Sequence, residues 1–255
     1  MRTMMTALPL IAALAAPAAA LDLAAMTDDE KAAFGEAVKG YLMENPQVLV
    51  EAIGVLEERQ LAQQVEDDKV IVATNAEDLF ADGHSWIGGN PEGDVTVVEF
   101  VDYKCTYCKK AHDEVAKLVE EDGNIRLILK DFPILGAQSE LGARFAVAVK
   151  QIHGDAAYKK VHDALIALRG DISMDSLSAL AKDQGHDPEP LLKRMNEEAV
   201  TAVLRSNRQL AERMHVQGTP AFAIGADEDG KMQGQLLRGY LPLEGMQAAV
   251  AETRG

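Results

Sequence analysis

The chain contains only two cysteines, Cys105 and Cys108, and two residues separate them. A disulfide between them would close a very small loop, and such a cross-link removes little conformational entropy from the unfolded chain. A disulfide between the two cysteines would therefore stabilise the fold little. Reversible thiol–disulfide chemistry is the better explanation for the pair. A binding module with a purely structural disulfide is the alternative that this pattern leaves open.

The residues around the cysteines predict a strand followed by a helix. Residues 95–101 are apolar on both faces, which is typical of a buried central strand. Cys108 lies in the first turn of the helix that follows. Because the unpaired N–H groups and partial positive charge of a helix N-terminus favour a thiolate, we expect a lowered pKa for Cys105, which lies at the start of this helix. Cys105 is the predicted exposed nucleophile, and Cys108 is the predicted buried thiol that resolves a mixed disulfide.

The remaining pattern predicts an α/β fold. Residues 95–130 form a strand–helix–strand unit with parallel strands. A helical block covers about residues 138–215, and two short strands and a final helix follow it. The sequence therefore predicts a domain over residues 95–255, in which helices cover a mixed sheet and a helical domain is inserted.

The first 20 residues have the layout of a signal peptide. Arg2 gives a positive start, residues 8–16 are apolar, and residues 18–20 fit a small-residue cleavage site. The apolar stretch is too short for a stable membrane anchor, although an uncleaved anchor is the alternative interpretation. The sequence thus predicts an exported protein.

Residues 21–80 are predicted to form an N-terminal helical segment. Thr27 opens a capping box for the first helix, and Asn45 is predicted to be the N-cap of a second helix. The Gly-rich residues 81–94 are predicted to be a linker, in which Trp86 packs against the main domain.

The second of these helices carries a thin apolar stripe, formed by Leu49, Ile53 and Leu56. Polar and acidic residues dominate from Glu57 to Asp68, and this run is predicted to be a solvated helix face. A stripe so thin cannot build a core alone. We therefore expect the helix to lie on the main domain or to pair with copies of itself.

The charge balance excludes one class of partner. The formal net charge is −16, whereas binding to nucleic acid phosphates requires clustered lysines and arginines. We expect no nucleic acid partner, and the excess of acidic residues is interpreted as a source of solubility.

A carboxylate interrupts the predicted central strand. Glu99 lies six residues before Cys105, on the strand face shared by Val95, Val97 and Val101. A buried carboxylate is costly unless it has a partner or a role. It is interpreted as a proton relay to Cys108, and the alternative is an ion pair with a lysine such as Lys130.

Two segments resemble the DsbA family of thioredoxin-fold disulfide oxidoreductases: FVDYKCTYC at residues 100–108 and GTPAF at residues 218–222. The resemblance covers residues 90–253. It implies a thioredoxin-like fold interrupted by a helical domain, in which Thr219 and a cis-Pro220 face the cysteines. Alone, this dipeptide would predict a trans turn, since only about 5–6% of X-Pro bonds are cis. The family's buried glutamate falls on Glu99.

The dipeptide between the cysteines departs from the family's oxidases. Thr106 and Tyr107 stand where those oxidases carry Pro-His. The histidine thought to stabilise the reduced form of the oxidases is therefore absent. The resemblance implies a weaker oxidant at this position.

Residues 41–52, YLMENPQVLVEA, are similar to the N-terminal helices of the suppressor-of-copper-sensitivity C (ScsC) proteins, which are periplasmic relatives of DsbA. Such helices mediate self-association, and some of these relatives are trimeric disulfide isomerases. The similarity implies that residues 21–80 are an oligomerisation segment, with a trimer favoured over a dimer. It implies a periplasmic isomerase that acts on exported proteins with thiols or disulfides and has a membrane redox partner. No dissociable cofactor is expected, because the redox-active group is the Cys105–Cys108 disulfide.

Two other functions stay open: a DsbA-like oxidase, and a periplasmic copper-binding protein that uses the same thiols. His112 lies four residues after Cys108, so Cys105, Cys108 and His112 offer three possible metal ligands. A structural zinc site needs four ligands, and copper prefers soft sulfur. We therefore expect no metal in the site.

Overall fold

The computed structural model describes residues 26–228 and 231–255. The predicted signal peptide, residues 1–20, lies outside this range. The chain divides into two compact units, Met1–Arg59 and Gln60–Gly255. Within the described residues, no helix has the length and apolar content that crossing a bilayer requires.

The first unit begins with α1 (Asp28–Glu44), which has the predicted capping box. Glu30 N–H donates to the Thr27 hydroxyl at 3.4 Å, and Thr27 N–H donates back to the Glu30 carboxylate at 2.8 Å. Asn45 differs from its prediction as an N-cap, because its side-chain amide donates to the Tyr41 carbonyl at 2.9 Å. Its backbone N–H donates to the same carbonyl at 2.8 Å, so Asn45 is the C-cap of α1.

The second helix, α2 (Gln47–Thr74), runs from the first unit into the second. In its first half, Leu49, Ile53 and Leu56 are exposed, and α1 buries no residue. In its second half, Asp68 and Val72 are buried. The N-terminal unit therefore shows an apolar surface that the single chain leaves uncovered.

The prediction that residues up to Asp68 form a solvated face is wrong at Asp68 itself. Its carboxylate is buried and accepts two hydrogen bonds of 2.7 Å from the Arg238 guanidinium. The second half of α2 thus belongs to the second unit, where the Asp68 carboxylate meets a base from a strand that is distant in the sequence.

Five strands form one sheet in the order β1-β3-β2-β4-β5. They are β1 (Trp86–Gly89), β2 (Val95–Val101), β3 (Ile125–Asp131), β4 (Ala221–Glu228) and β5 (Lys231–Arg238). The pair β2–β3 is parallel, as predicted, and the other three pairs are antiparallel. Every residue of β2 is buried, which fits a central strand with helices on both faces.

The predicted linker over residues 81–94 contains the edge strand β1, so this prediction is corrected. Trp86 pairs with Leu129 of β3, stacks on Tyr158 with ring centroids 6.2 Å apart, and donates its indole N–H to the Asp155 carbonyl at 3.1 Å. The packing of Trp86 on the main domain is as predicted. The glycines hid the strand, because Gly88 and Gly89 weaken any β pattern.

The part of the chain that the structure describes has eight further helices: α3 (Ala76–Phe80), α4 (Thr106–Asp122), α5 (Ala137–His153), α6 (Asp155–Ala167), α7 (Met174–Asp183), α8 (Pro188–Arg194), α9 (Glu198–Arg213) and α10 (Leu243–Arg254). Helices α5 to α9 form the inserted domain between β3 and β4. Val97 and Leu127 face a core shared with α4, α5 and α10, whereas Val98 and Phe100 face a second core with α3 and α9. The predicted thioredoxin-like α/β fold with a helical insertion is confirmed.

Candidate active site

Cys105 occupies the N-cap of α4, directly beyond the carboxyl end of the buried strand β2. The Cys108 backbone N–H points at the Cys105 sulfur, with 3.4 Å between the nitrogen and Sγ. The hydrogen bond from the Cys108 thiol is the largest influence on Cys105, and it lowers the pKa of Cys105 to about 5 against the opposing effect of burial. Cys105 is therefore the thiolate of the pair near neutral pH, and only a thiolate attacks disulfides.

Cys108 lies one helical turn further in and is fully buried. The pKa of its thiol is raised well above the ordinary value, first by the hydrogen bond to Cys105, then by burial and by the charge of Glu99. Cys108 thus keeps its proton while it donates to the Cys105 thiolate. The two cysteines divide into one nucleophile and one proton-bearing partner.

Cys105 is less exposed than predicted, with 6% of its surface accessible. The loop that contains Thr219 covers it, and the Cys105 Sγ lies 3.1 Å from the Thr219 carbonyl oxygen. The Thr219–Pro220 peptide bond is cis, as the resemblance implies. Thr219 and Pro220 therefore face the cysteines from the opposite end of the chain.

Glu99 is 3% exposed and lies on the face of β2 that packs against α4. Burial is the main cause that raises the pKa of Glu99 to about 8, and the negative charge of Cys105 adds to it. Glu99 is therefore protonated at neutral pH. A carboxyl group with this pKa can take up or return a proton within the physiological range.

The alternative ion pair between Glu99 and Lys130 is wrong. Lys130 stands beside Phe100 in the β2–β3 register and so lies on the opposite face of the sheet. Its ammonium group pairs with the Asp82 carboxylate and donates to the Asp78 carbonyl at 2.8 Å. Lys130 therefore does not neutralise Glu99, which is buried on the other face of the sheet.

The sequence interpretation missed Asp102, which fixes the loop that leads to the cysteines. Its buried carboxylate accepts hydrogen bonds from the Ser139 hydroxyl at 2.7 Å and from the Lys104 and Ile134 backbone N–H groups at 2.8 Å. Its carbonyl also accepts from the Cys105 N–H at 3.0 Å. A carboxylate between a buried strand and a helix cap was the available signal, because short acids commonly organise such turns.

The surface beside Cys105 is aromatic and cationic. Tyr107 is 60% exposed and stacks on Tyr240, with ring centroids 6.1 Å apart. The Lys110 ammonium lies 4.2 Å from the centre of the Tyr240 ring. This surface offers apolar area and a positive charge to an unfolded chain that approaches Cys105.

The possible metal site formed by Cys105, Cys108 and His112 is not assembled. The His112 Nε2 lies 3.2 Å from the Asp163 carboxylate on α6. In the described residues, the group that includes His112 and could hold an ion consists of His112, His162 and Asp163.

A family model described as a DSBA-like thioredoxin domain matches residues 96–251, which contain both cysteines, Glu99 and the Thr219–Pro220 bond. The chain belongs to the DsbA-like thioredoxin family. A second model, described as the copper resistance protein ScsC N-terminal domain, matches residues 30–63. The two matches confirm the predicted resemblance of the chain to the DsbA family and to the ScsC proteins.

Solved structures of DsbA-like proteins superimpose on this chain. A thioredoxin-like oxidoreductase from Silicibacter pomeroyi DSS-3 is 38% identical, with a TM-score of 0.63, over 71% of this chain and 98% of that chain. Salmonella enterica Typhimurium BcfH is 29% identical, with a TM-score of 0.74, over 89% of this chain and 97% of that chain. A Proteus mirabilis ScsC variant is 22% identical, with a TM-score of 0.63, over 90% of this chain and 97% of that chain, and it supports the fold alone.

One curated relative is much longer than this chain. The Na(+)/H(+) antiporter NhaA 1 of Salinispora arenicola is 26% identical over 165 residues, which are 64% of this chain and 24% of that protein. The chain thus spans about a quarter of the length of this relative.

Proposed function

We propose that this DsbA-like chain is a periplasmic thiol–disulfide oxidoreductase that isomerises disulfides in exported proteins. One observation carries the proposal: the low-pKa sulfur of Cys105 at the α4 N-cap lies beside a buried Cys108 that keeps its proton. This arrangement separates an attacking thiolate from a resolving thiol. Residues 1–20, with the layout of a signal peptide, support export.

Catalysis begins when the Cys105 thiolate attacks a substrate disulfide. A mixed disulfide forms between Cys105 and one substrate sulfur, and the other substrate sulfur leaves as a thiolate. If a different thiolate of the same substrate attacks the substrate sulfur of the mixed disulfide, Cys105 is released as a thiolate. The substrate then carries a rearranged disulfide, and no net oxidation has occurred.

If no substrate thiolate resolves the mixed disulfide, Cys108 resolves it with the help of Glu99. In the mixed disulfide the Cys105 sulfur carries no charge, so one of the two causes that raise the pKa of Glu99 is lost and Glu99 ionises more readily. The ionised Glu99 takes the proton of Cys108, and Cys108 attacks the Cys105 sulfur, which forms the Cys105–Cys108 disulfide. The substrate sulfur leaves as a thiolate, so the substrate gains two electrons and the enzyme loses two. A membrane redox partner that donates two electrons and two protons would return both cysteines to thiols.

The N-terminal unit favours an isomerase over a simple oxidase. Its exposed apolar residues, among them Leu49, Ile53 and Leu56, are suited to pairing with the same helix of another copy. A trimer built in this way would bring several Cys105 thiolates to one bound substrate, which could then be attacked repeatedly. The match of residues 30–63 to the ScsC N-terminal domain supports this assignment.

The test compares two single substitutions on α2 that each introduce an exposed glutamate. Ile53→Glu should convert the oligomer to a monomer, because it puts a charge on the apolar stripe. Ala62→Glu, on the opposite face of the same helix, is the matched control and should leave the oligomer intact. Light scattering reports the mass, while refolding of scrambled ribonuclease and oxidation of reduced ribonuclease report isomerase and oxidase activity.

We expect Ile53→Glu to lose most isomerase activity and to retain Cys105 reactivity. A wild-type chain that is already monomeric would refute the oligomeric isomerase, and an oxidase would take its place. A wild-type chain that leaves both ribonuclease substrates unchanged would refute the oxidoreductase.

A copper-binding protein is the second candidate, because the model that matches residues 30–63 is named for copper resistance. This function would use the reduced thiols of Cys105 and Cys108 as soft ligands for Cu(I). Titration of the reduced chain with Cu(I) against a chromophoric chelator tests it. One tightly held Cu(I) per chain, abolished by Cys105→Ser, would support copper binding.

A further inference from the structure

Three potential metal ligands meet between α4 and α6, away from the thiols. His112 comes from α4, and His162 and Asp163 come from α6. One ligand atom from each residue lies within 4.8 Å of the other two. Because α6 belongs to the inserted helical domain, this cluster joins the helix that begins at the active site to the insertion.

The spacing of the cluster fits a small tetrahedral ion. Zinc bonds to histidine nitrogen and carboxylate oxygen are about 2.0–2.2 Å long, so two ligand atoms of a tetrahedral site lie about 3.3 Å apart. The His112 Nε2 lies 3.2 Å from the Asp163 Oδ1. This edge of the site therefore already has the required length, and small side-chain rotations would bring in the third ligand.

The buried histidine of the cluster has an orienting partner. His162 is buried, and the Tyr103 hydroxyl lies 3.2 Å from its Nδ1. Ligating histidines usually have their second nitrogen held in this way, which fixes the ring and leaves Nε2 for the ion. Tyr103 is itself buried, two residues before Cys105, so the orienting contact belongs to the rigid part of the fold.

The other two ligands are accessible. The side chains of His112 and Asp163 are 22% and 41% exposed, so an ion can reach them from solvent. Two imidazoles and one carboxylate are a donor set that suits Zn²⁺, and three protein ligands leave a fourth position for water.

A lysine competes for the same carboxylate. The Lys159 ammonium lies 2.6 Å from Asp163 Oδ1 and 2.8 Å from Oδ2. A divalent ion on Asp163 would repel this ammonium, and Lys159 is exposed enough to swing away. Zinc binding and the lysine contact should therefore oppose each other.

We propose that His112, His162 and Asp163 form a three-ligand Zn²⁺ site that joins α4 to α6, with water in the fourth position. The site is separate from the dithiol and exists when Cys105 and Cys108 are oxidised. The proposal does not depend on isomerase activity.

The test uses the full-length, disulfide-oxidised protein, in which the sulfurs cannot bind zinc. Titration calorimetry with Zn²⁺ should show one ion per chain. His112→Asn should weaken binding by about tenfold or more, because it removes one of three ligands. His153→Asn is the matched control, since His153 stacks on His186 elsewhere, and it should leave the affinity unchanged.

Lys159→Met gives a result that a plain His112–Asp163 ion pair does not predict. It leaves all three ligands in place and removes the competing ammonium, so Zn²⁺ should bind several times more tightly than to the wild type. Co²⁺ as a spectroscopic probe should give the intense visible bands of a tetrahedral site in the wild type and in Lys159→Met. Absence of zinc binding by the wild type, equal affinity in His112→Asn, or no gain in Lys159→Met would each overturn the site.

Discussion

The Asp68 carboxylate is held by both terminal nitrogens of the Arg238 guanidinium, across 170 positions of the sequence. This pair fastens the end of α2 to the edge strand β5. Asp68→Asn should lower the free energy of unfolding of the catalytic unit by about 1–3 kcal/mol, because it leaves buried donors poorly paired. Urea denaturation followed by circular dichroism measures the change.

The neighbouring Asp67 provides the control for Asp68. Asp67 is exposed and accepts one hydrogen bond from Gln63, so Asp67→Asn should change stability by less than about 0.5 kcal/mol. Equal effects of the two substitutions would show that the Arg238 contact does not stabilise the unit.

Lys130→Met should lower the free energy of unfolding by about 3–5 kcal/mol. It removes the ammonium group that pairs with the Asp82 carboxylate, whose side chain is only 9% exposed. Lys69→Met removes an exposed partner of Glu66 and should cost less than about 1 kcal/mol. Thermal unfolding at pH 7 compares the two. A small effect of Lys130→Met would mean that the buried pair is replaceable by apolar packing.

Acid should weaken the same pair. The contacts with Lys130 hold the pKa of Asp82 at about 2 against the opposing effect of burial, whereas the unfolded value is near 3.8. The stabilisation is therefore complete above pH 3.8 and is lost as the pH falls towards 2. Unfolding measured between pH 2 and 5 should show this loss in the wild type and not in Lys130→Met.

Cys105 should be alkylated selectively in the reduced protein. Its pKa of about 5 predicts a labelling rate that is constant above about pH 6 and half as large near pH 5. Cys108 should stay unlabelled, because it is fully buried and its pKa is raised. Mass spectrometry after iodoacetamide treatment reads both, and equal labelling of the two cysteines would contradict their assigned roles.

Glu99→Gln should change the pH dependence of stability. The pKa of Glu99 is about 8 in the folded protein and near 4.5 in the unfolded chain, so the folded protein retains a proton that the unfolded chain releases. The Glu99 contribution to wild-type stability is thus complete below pH 4.5 and is lost as the pH rises towards 8, by up to about 1.4 kcal/mol per pH unit. The lowered pKa of Cys105 acts in the opposite direction over part of this range, so the Glu99 slope is read from the difference between the wild type and the variant. Glutamine does not titrate, so the variant should lack this slope.

Urea unfolding of the reduced proteins at pH 5, 6, 7 and 8 tests the Glu99 slope. Glu120→Gln removes an exposed carboxylate on α4 and should follow the wild type. Parallel curves for the wild type and Glu99→Gln would place the Glu99 pKa near its ordinary value.

Much of the catalytic fold could be predicted, because local patterns agree with the tertiary structure there. Apolar residues on both faces of β2 indicated a central strand, and the position of Cys105 at the start of the next helix indicated a thiolate. The facing Thr219–Pro220 bond came from the family resemblance, since no local rule distinguishes a cis bond from a trans turn.

The remaining features depend on partners that are distant in the sequence. The edge strand β1 is defined by its pairing with β3, and its glycines hide it from any periodicity. Asp68 looks like its solvated neighbours until Arg238 of β5 is placed beside it. The sequence left Lys130 open as an ion-pair partner for Glu99, and the strand register places the two side chains on opposite faces of the sheet.

Trp86 is the one tryptophan of the chain. It is the first residue of β1, and its ring stacks on the Tyr158 ring of α6. Its ultraviolet fluorescence is therefore a natural optical reporter of a single event, the docking of the inserted helices onto the sheet edge. Stopped-flow emission would follow the assembly of the catalytic unit without any attached dye. The N-terminal helices contain no tryptophan, so their association would be silent in this signal and would need a separate probe.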